Sequence, residues 1–108
     1  MLSYHLEGAL KDLRDLIELT RLDIEDIKMA QHEPQFERLP LKDEKLKSFE
    51  TKKSMIDHEI SSLMRANPNV ELPDLLDKQQ HKYLEELKSE LSNLRDINKE
   101  YAKFVLIV

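Results

Sequence analysis

The first thirty residues repeat apolar side chains at alternating spacings of four and three. The series runs through Leu6, Leu10, Leu13, Ile17, Thr20, Ile24 and Ile27. This heptad spacing places one stripe on the face of an α-helix that packs against another helix, and Thr20 is a polar member of it. Leu16 and Leu19 form a second row beside the stripe, which widens the apolar face enough to contact two neighbours. The pattern predicts a first helix over about 3–31.

Two further stripes predict two more long helices. The second stripe comprises Leu46, Phe49, Lys53, Ile56, Ile60 and Leu63. The third comprises Leu84, Leu87, Leu91, Leu94, Asn98, Tyr101, Val105 and Val108. Lys53 interrupts the second stripe, and it either extends from the edge of the stripe to water or pairs with an acid of another helix. We predict the second helix over about 43–66 and the third over about 74–108.

Prolines mark the connections between these helices. The periodicity lapses over 31–43, which contains Pro34 and Pro40, and proline lacks an N–H and disfavours a helical conformation in the residue before it. This segment is therefore either a connection or partly helical, which would lengthen one arm of the hairpin. Pro68 lies in a second break over 67–73. After that break Asp74 is placed to cap the third helix.

The predicted fold is all-α, with three long antiparallel helices in a single domain over residues 1–108. Short connections between sustained helical patterns favour antiparallel neighbours, which gives a coiled-coil-like hairpin or bundle. The third helix is predicted to be the longest. Its C-terminal end is therefore expected to project beyond the second helix.

Charge and composition exclude several classes of function. The chain has 22 acidic and 17 basic residues, a formal net charge of −5, and no basic cluster, so we expect neither nucleic-acid binding nor attachment to a membrane surface. It has no apolar run of about 18 residues and no signal-peptide pattern. Cysteine is absent, which fits a reducing compartment. These features favour a cytoplasmic protein.

The polar residues show no pattern typical of catalysis or of a metal or cofactor site. The histidines are His5, His32, His58 and His81, and none forms a zinc or di-iron motif. The single glycine excludes a glycine-rich phosphate loop. The acidic pairs Asp23/Asp26 and Glu86/Glu90 are interpreted as solvated faces of helices. We expect no enzyme activity, metal or cofactor.

Two features of the third helix indicate binding to another helix. Asn98 lies within the stripe, where a polar residue either sets register and partner choice or sits at a solvated edge. The run Phe104–Val108 is apolar on every side of a helix, so it needs cover from all sides. That cover is a partner, a second copy of the chain, or a further part of a longer chain.

Two segments resemble the FlgN-type export chaperones of the bacterial flagellum. Residues 45–56 are similar to that family's stretch of leucine-spaced lysines, and residues 94–105 are similar to its progression of leucine, two asparagines, glycine and leucine-isoleucine. Asn98 matches the first asparagine. Tyr101 stands where the second would be, and the glycine has no counterpart.

The resemblance implies a cytoplasmic chaperone that binds disordered terminal helices of hook-associated proteins, prevents their premature assembly and delivers them to the type III export apparatus. The client helix would lie against an apolar face of the third helix. The expected partner-binding residues are Leu87, Leu91, Leu94, Asn98, Tyr101, Val105 and Val108. Of these, Leu87 and Leu91 are expected to be shared between the core and the binding face. The alternative is a structural or regulatory coiled-coil protein that acts through self-association, and the pattern is compatible with a monomer or a dimer.

Overall fold

The computed structural model describes the backbone of residues 1–107 and the side chains of residues 1–105. The predicted partner-binding residue Val108 lies outside the described residues. The described part is all-helical, as predicted, and contains no strand. Its helices are α1 (Leu2–Lys28), α2 (Glu33–Ala66), α3 (Leu72–Leu75) and α4 (Lys78–Ile107). Within this part no helix has the length and apolar character needed to cross a bilayer.

The most buried row of α1 differs from the predicted stripe. It runs through Leu2, Leu6, Ala9, Leu13, Leu16, Thr20, Asp23 and Ile27, again at spacings of four and three. Leu16 is buried, whereas Ile17 is only half-buried. The sequence favoured the row with Ile17 and Ile24 because the competing row contains Asp23, a charged residue that seldom lies inside a protein.

The three long helices share one apolar core at one end of the molecule. Its buried members are Leu2, Leu6, Ala9, Leu10, Leu13, Phe49, Ile56 and Leu87. Most of them come from the first half of α1, which packs against both α2 and α4. Complete burial of an aliphatic side chain contributes about 1.5–3 kcal/mol, so this end supplies most of the hydrophobic stabilisation.

Side-chain contacts give the order in which the helices meet. Asp12 of α1 contacts Lys52 of α2, and Asp23 contacts Arg38. The contact partners on α2 therefore have lower residue numbers as the residue numbers on α1 increase. Arg14 contacts Glu90 of α4. Farther along the same two helices, Lys28 lies over the ring of Phe104. The residue numbers of the contacting partners therefore increase together along α1 and α4.

α2 begins at Glu33, so most of the predicted connection 31–43 is helical. Pro34 lies in the first turn, where its missing N–H costs nothing, but Pro40 lies inside the helix. The prolines were taken as a break because an interior proline costs about 3 kcal/mol of helix stability. As a result α2 has 34 residues and α4 has 30, so the prediction that the third helix is the longest is wrong.

The predicted projection of the C-terminal helix is also wrong as far as Phe104. The Lys28 ammonium lies 5.1 Å from the centre of the Phe104 ring, and the Lys42 ammonium lies 4.9 Å from the centre of the Tyr101 ring. α1 and α2 therefore both accompany α4 to this level. The early start of α2 is the reason, since Lys42 belongs to the segment predicted as a connection.

The turns on either side of α2 have defined caps. Ala30 has φ 57°, and the Gln31 N–H donates to the Asp26 carbonyl at 2.7 Å, which is the hydrogen bond that closes a Schellman motif. α4 starts after Asp77, whose carboxylate accepts the Gln80 N–H at 2.7 Å while the Gln80 side chain accepts the Asp77 N–H. The predicted start at Asp74 belongs instead to the separate turn α3.

Candidate functional site

Ion pairs between α1 and α2 have one polarity throughout. Every acid in them belongs to α1 and every base to α2, and the bonds are Asp12–Lys52 at 2.8 Å, Asp15–Lys45 at 3.1 Å, Asp23–Arg38 at 3.0 Å, Asp23–Lys42 at 2.9 Å and Asp26–Arg38. α1 meets α4 with the opposite polarity, since Arg14 lies 3.1 Å from Glu90 and 3.7 Å from Glu86. This sorting favours one neighbour on each side of α1.

Asp23 is the most buried of these charges. Its side chain is 1% exposed and accepts hydrogen bonds from both Arg38 and Lys42. Arg38 also donates to Asp26, which is 17% exposed. The prediction that Asp23 and Asp26 form a solvated face is therefore wrong, because the helical segment before residue 43 brings two cations onto them.

The same contacts shift the titration of the cations. The hydrogen bond to Asp26 is the main reason that the pKa of Arg38 is raised, and the bond to Asp23 adds to it, whereas burial opposes both. The hydrogen bond to Asp15 likewise raises the pKa of Lys45. Both cations are therefore charged at neutral pH.

Gly8 makes room for one of the ion pairs. A Cβ at this position would lie 3.0 Å from Cε and 3.1 Å from Cδ of Lys52. The lysine chain thus crosses α1 directly over the glycine to reach Asp12, whose side chain is 5% exposed. Lys52 also donates to the Ser48 hydroxyl at 2.9 Å.

A groove lies between α2 and α4 next to the apolar core, against which its lining residue Leu94 packs. It has a volume of about 290 Å³. Its lining comes from all three long helices and consists of Leu16, Thr20, Leu39, Lys42, Asp43, Leu46, Leu94 and Asn98. Leu39 and Leu46 are 52% and 44% exposed. The groove is therefore an apolar depression, open to water, with leucines on both sides.

The structure divides the predicted partner-binding residues into three groups. Leu94 and Asn98 line the groove, and Tyr101 contacts Lys42, which also lines it. Leu91 and Val105 are 41% and 49% exposed on the same helix. Leu87 does not join them, because it is 9% exposed and belongs to the core.

Sequence analysis missed the α2 side of the groove. Phe36, Leu39 and Leu46 recur at spacings of three and seven, which is one face of a helix. The prediction did not use this periodicity, because Pro34 and Pro40 indicated a connection between helices. Leu46 was placed in a packed stripe, yet it is exposed.

The other depressions are less suited to a ligand. A wider furrow of about 780 Å³ runs beside Tyr4 and Tyr83, but charged side chains such as Glu7, Arg14 and Lys52 make up much of its lining. Among the described residues no three acidic, histidine or cysteine side chains are grouped as metal ligands would be.

The chain matches no protein-family model, no curated protein and no solved structure.

Proposed function

We propose that this protein binds an amphipathic helix of another protein in the groove between α2 and α4. The observation that carries the proposal is the groove itself, in which Leu39, Leu46 and Leu94 surround an apolar depression with Leu16 of α1 beneath. A helix that lays its apolar face into such a depression is a common mode of peptide recognition.

The proposed scaffold is an up-down-up arrangement of the three long helices. The contact order supports it, because α1 meets α2 in opposite order and α4 in the same order. α1 packs extensively against each of the others. A bound helix beside α2 and α4 would then take the fourth position of a four-helix bundle.

The leucines at the groove set the expected affinity. Complete burial of a leucine is worth about 1.5–3 kcal/mol, and those of the groove are already roughly half-covered. Three such side chains, together with the partner's own apolar residues, must also offset the entropy lost on association. A dissociation constant of roughly micromolar order is expected, which suits a partner that is held and then released.

We further propose that the bound helix is a terminal segment of a hook-associated flagellar protein, and that the protein is a cytoplasmic export chaperone. The support for this partner is the resemblance of residues 45–56 and 94–105 to the FlgN type, and Leu94 and Asn98 of the second segment line the groove. Binding would keep the client from assembling early. Transfer to the export apparatus would release it.

Light scattering and circular dichroism of the chain mixed with such a segment test the proposal. We expect a one-to-one complex with more helix than the two components have separately. The double substitution Leu39→Asp and Leu46→Asp should abolish the complex, because it puts charges at exposed positions that line the groove. The matched control is Met55→Asp with Met64→Asp, on equally exposed residues of α2 away from the groove.

Self-association is the second candidate function. Leu46, Leu91 and Val105 are between 41% and 49% exposed, and a two-fold axis would bring the same apolar surface of two copies together. A stable dimer whose mass is unaffected by the client segment, and which Leu46→Asp with Leu91→Asp dissociates, would support a structural coiled-coil protein instead.

A further inference from the structure

The N-terminal part of α2, residues 33–45, exposes apolar side chains to water and turns charged side chains toward the protein, which is the reverse of the usual arrangement in a surface helix. We call this segment the arm. Its apolar residues Phe36, Leu39 and Leu41 are 68%, 52% and 41% exposed, whereas its cations Arg38 and Lys42 are turned toward α1. The two buried residues of α2, Phe49 and Ile56, both lie beyond the arm.

Charged contacts are what fasten the arm to its neighbours. Arg38 and Lys42 bond Asp23, Arg38 also bonds Asp26, and Lys45 bonds Asp15. The contact with α4 is charged as well, since the Lys42 ammonium lies over the Tyr101 ring. Salt screens the more exposed of these contacts, such as Lys45 with Asp15, more strongly than the pairs of the buried Asp23, whereas it does not weaken the burial of apolar side chains.

The backbone of the arm is weaker than that of a regular helix. Pro40 cannot donate a hydrogen bond to the carbonyl one turn earlier, and its ring crowds that carbonyl. The N-cap residue His32 makes no side-chain hydrogen bond to the first turn, so the free N–H groups there lack the usual cap. Segments with few buried apolar contacts and strained hydrogen bonding are the ones that open locally.

We infer that the arm opens as a unit while the rest of the molecule stays folded, and that ionic strength controls the opening. Opening removes Arg38 and Lys42 from Asp23 and returns that carboxylate to water. It also removes Leu39 and Lys42 from one side of the groove. The arm is thus a salt-sensitive gate for the groove, and its opening can be measured on the chain alone, with no helix bound.

Hydrogen exchange followed by mass spectrometry tests the gate on the full chain alone. After correction for the intrinsic rates, amides of 33–45 should exchange faster than those of 48–63. Raising NaCl from about 0.05 M to about 1 M shortens the screening length to about 3 Å. Exchange in 33–45 should then accelerate roughly tenfold, with no change in 48–63.

Two substitutions separate the proposed causes. Pro40→Ala restores the missing N–H, so it should slow exchange in the arm between about tenfold and about a hundredfold without affecting 48–63. Lys42→Gln should accelerate exchange in the arm at low salt and reduce its salt dependence. Lys53→Gln is the matched control, because Lys53 pairs with Asp57 within α2, and it should change neither.

Equal protection of 33–45 and 48–63, or equal acceleration of both by salt, would overturn the inference. So would a Pro40→Ala protein in which exchange slows uniformly along α2, because the arm would then open only when the whole protein unfolds. None of these results bears on whether the groove binds a helix. Failure of the gate and failure of the proposed function are therefore distinguishable.

Discussion

Asp23 shows how far the burial of a single charge depends on its partners. Its carboxylate is 1% exposed and is bonded by both Arg38 and Lys42, whereas Asp26 is 17% exposed and bonded by Arg38 alone. Removing one member of a buried ion pair is costly because it leaves a charge without a partner in a site of low polarity. The two neighbouring aspartates should therefore differ in their contribution to stability.

Asp23→Ala should lower the free energy of unfolding by about 3–5 kcal/mol, since it leaves Lys42 without a carboxylate partner and Arg38 with Asp26 alone. Asp26→Ala removes an acceptor of Arg38 that is less buried than Asp23, so it should lower the free energy of unfolding by about 1 kcal/mol or less. Urea denaturation followed by circular dichroism measures both. Equal losses for the two variants would show that the burial of Asp23 has no energetic consequence.

Ala30 occupies a position that glycine fills better. Its φ of 57° lies in the left-handed region, which costs a residue with a Cβ about 1–2 kcal/mol. Ala30→Gly should raise the stability by about 0.5–1 kcal/mol, because the gain is partly offset by the greater freedom of glycine in the unfolded chain. The control is Ala66→Gly in the last turn of α2, which should destabilise. A loss of melting temperature in the Ala30 variant would contradict the turn geometry.

The pair between Lys45 and Asp15 predicts a dependence on alkaline pH. The pKa of Lys45 is raised in the folded state, so the pair stabilises fully below the unfolded lysine value of about 10.4 and is lost as pH rises through the folded value. The melting temperature of Asp15→Asn should fall below that of the native protein at neutral pH. The difference should shrink as pH rises past the unfolded lysine value, and a difference in melting temperature that stays constant with pH would refute the assignment.

At the scale of the helix, substitutions in α1 can test which of its leucines is buried. Leu16 is 5% exposed, whereas Leu19 is only half-buried. Leu16→Ala should cost about 2–4 kcal/mol, because it removes buried methyl groups and leaves a cavity. Leu19→Ala should cost about half as much or less. Urea titrations of the two variants compare identical chemistry three residues apart, and the reverse order would contradict the burial of Leu16.

The elements were predictable where apolar periodicity alone decides them. Two predicted helix ends lay close to those observed, at the start of α1 and at Ala66. The start of α2 was not predictable, because local preference counts Pro40 as a break while contacts across the molecule, chiefly those of Arg38 and Lys42 with Asp23, favour a continuous helix. The start of α4 was placed at Asp74, since Asp74 and Asp77 are equally good caps by residue type.

For the molecule as a whole, the sequence indicated the helix that carries the site but not its shape. Leu94 and Asn98 were predicted and line the groove, since both belong to one helical stripe. Leu39 and Leu46 were not, because their relation to Leu94 depends on how α2 and α4 lie across α1. Leu87 belongs to the core, and its place there was not predictable because an apolar stripe does not show where along the helix the core ends.

Sorted charges make the lysines of this protein chemically unequal. Acylating reagents must reach the amine from water, so a lysine that a neighbouring helix covers reacts more slowly. Lys42 and Lys52 contact buried aspartates and have side chains 19% and 30% exposed, whereas Lys47 and Lys53 are 74% and 58% exposed. The order in which these amines become acylated therefore shows which contacts between α1 and α2 persist in solution.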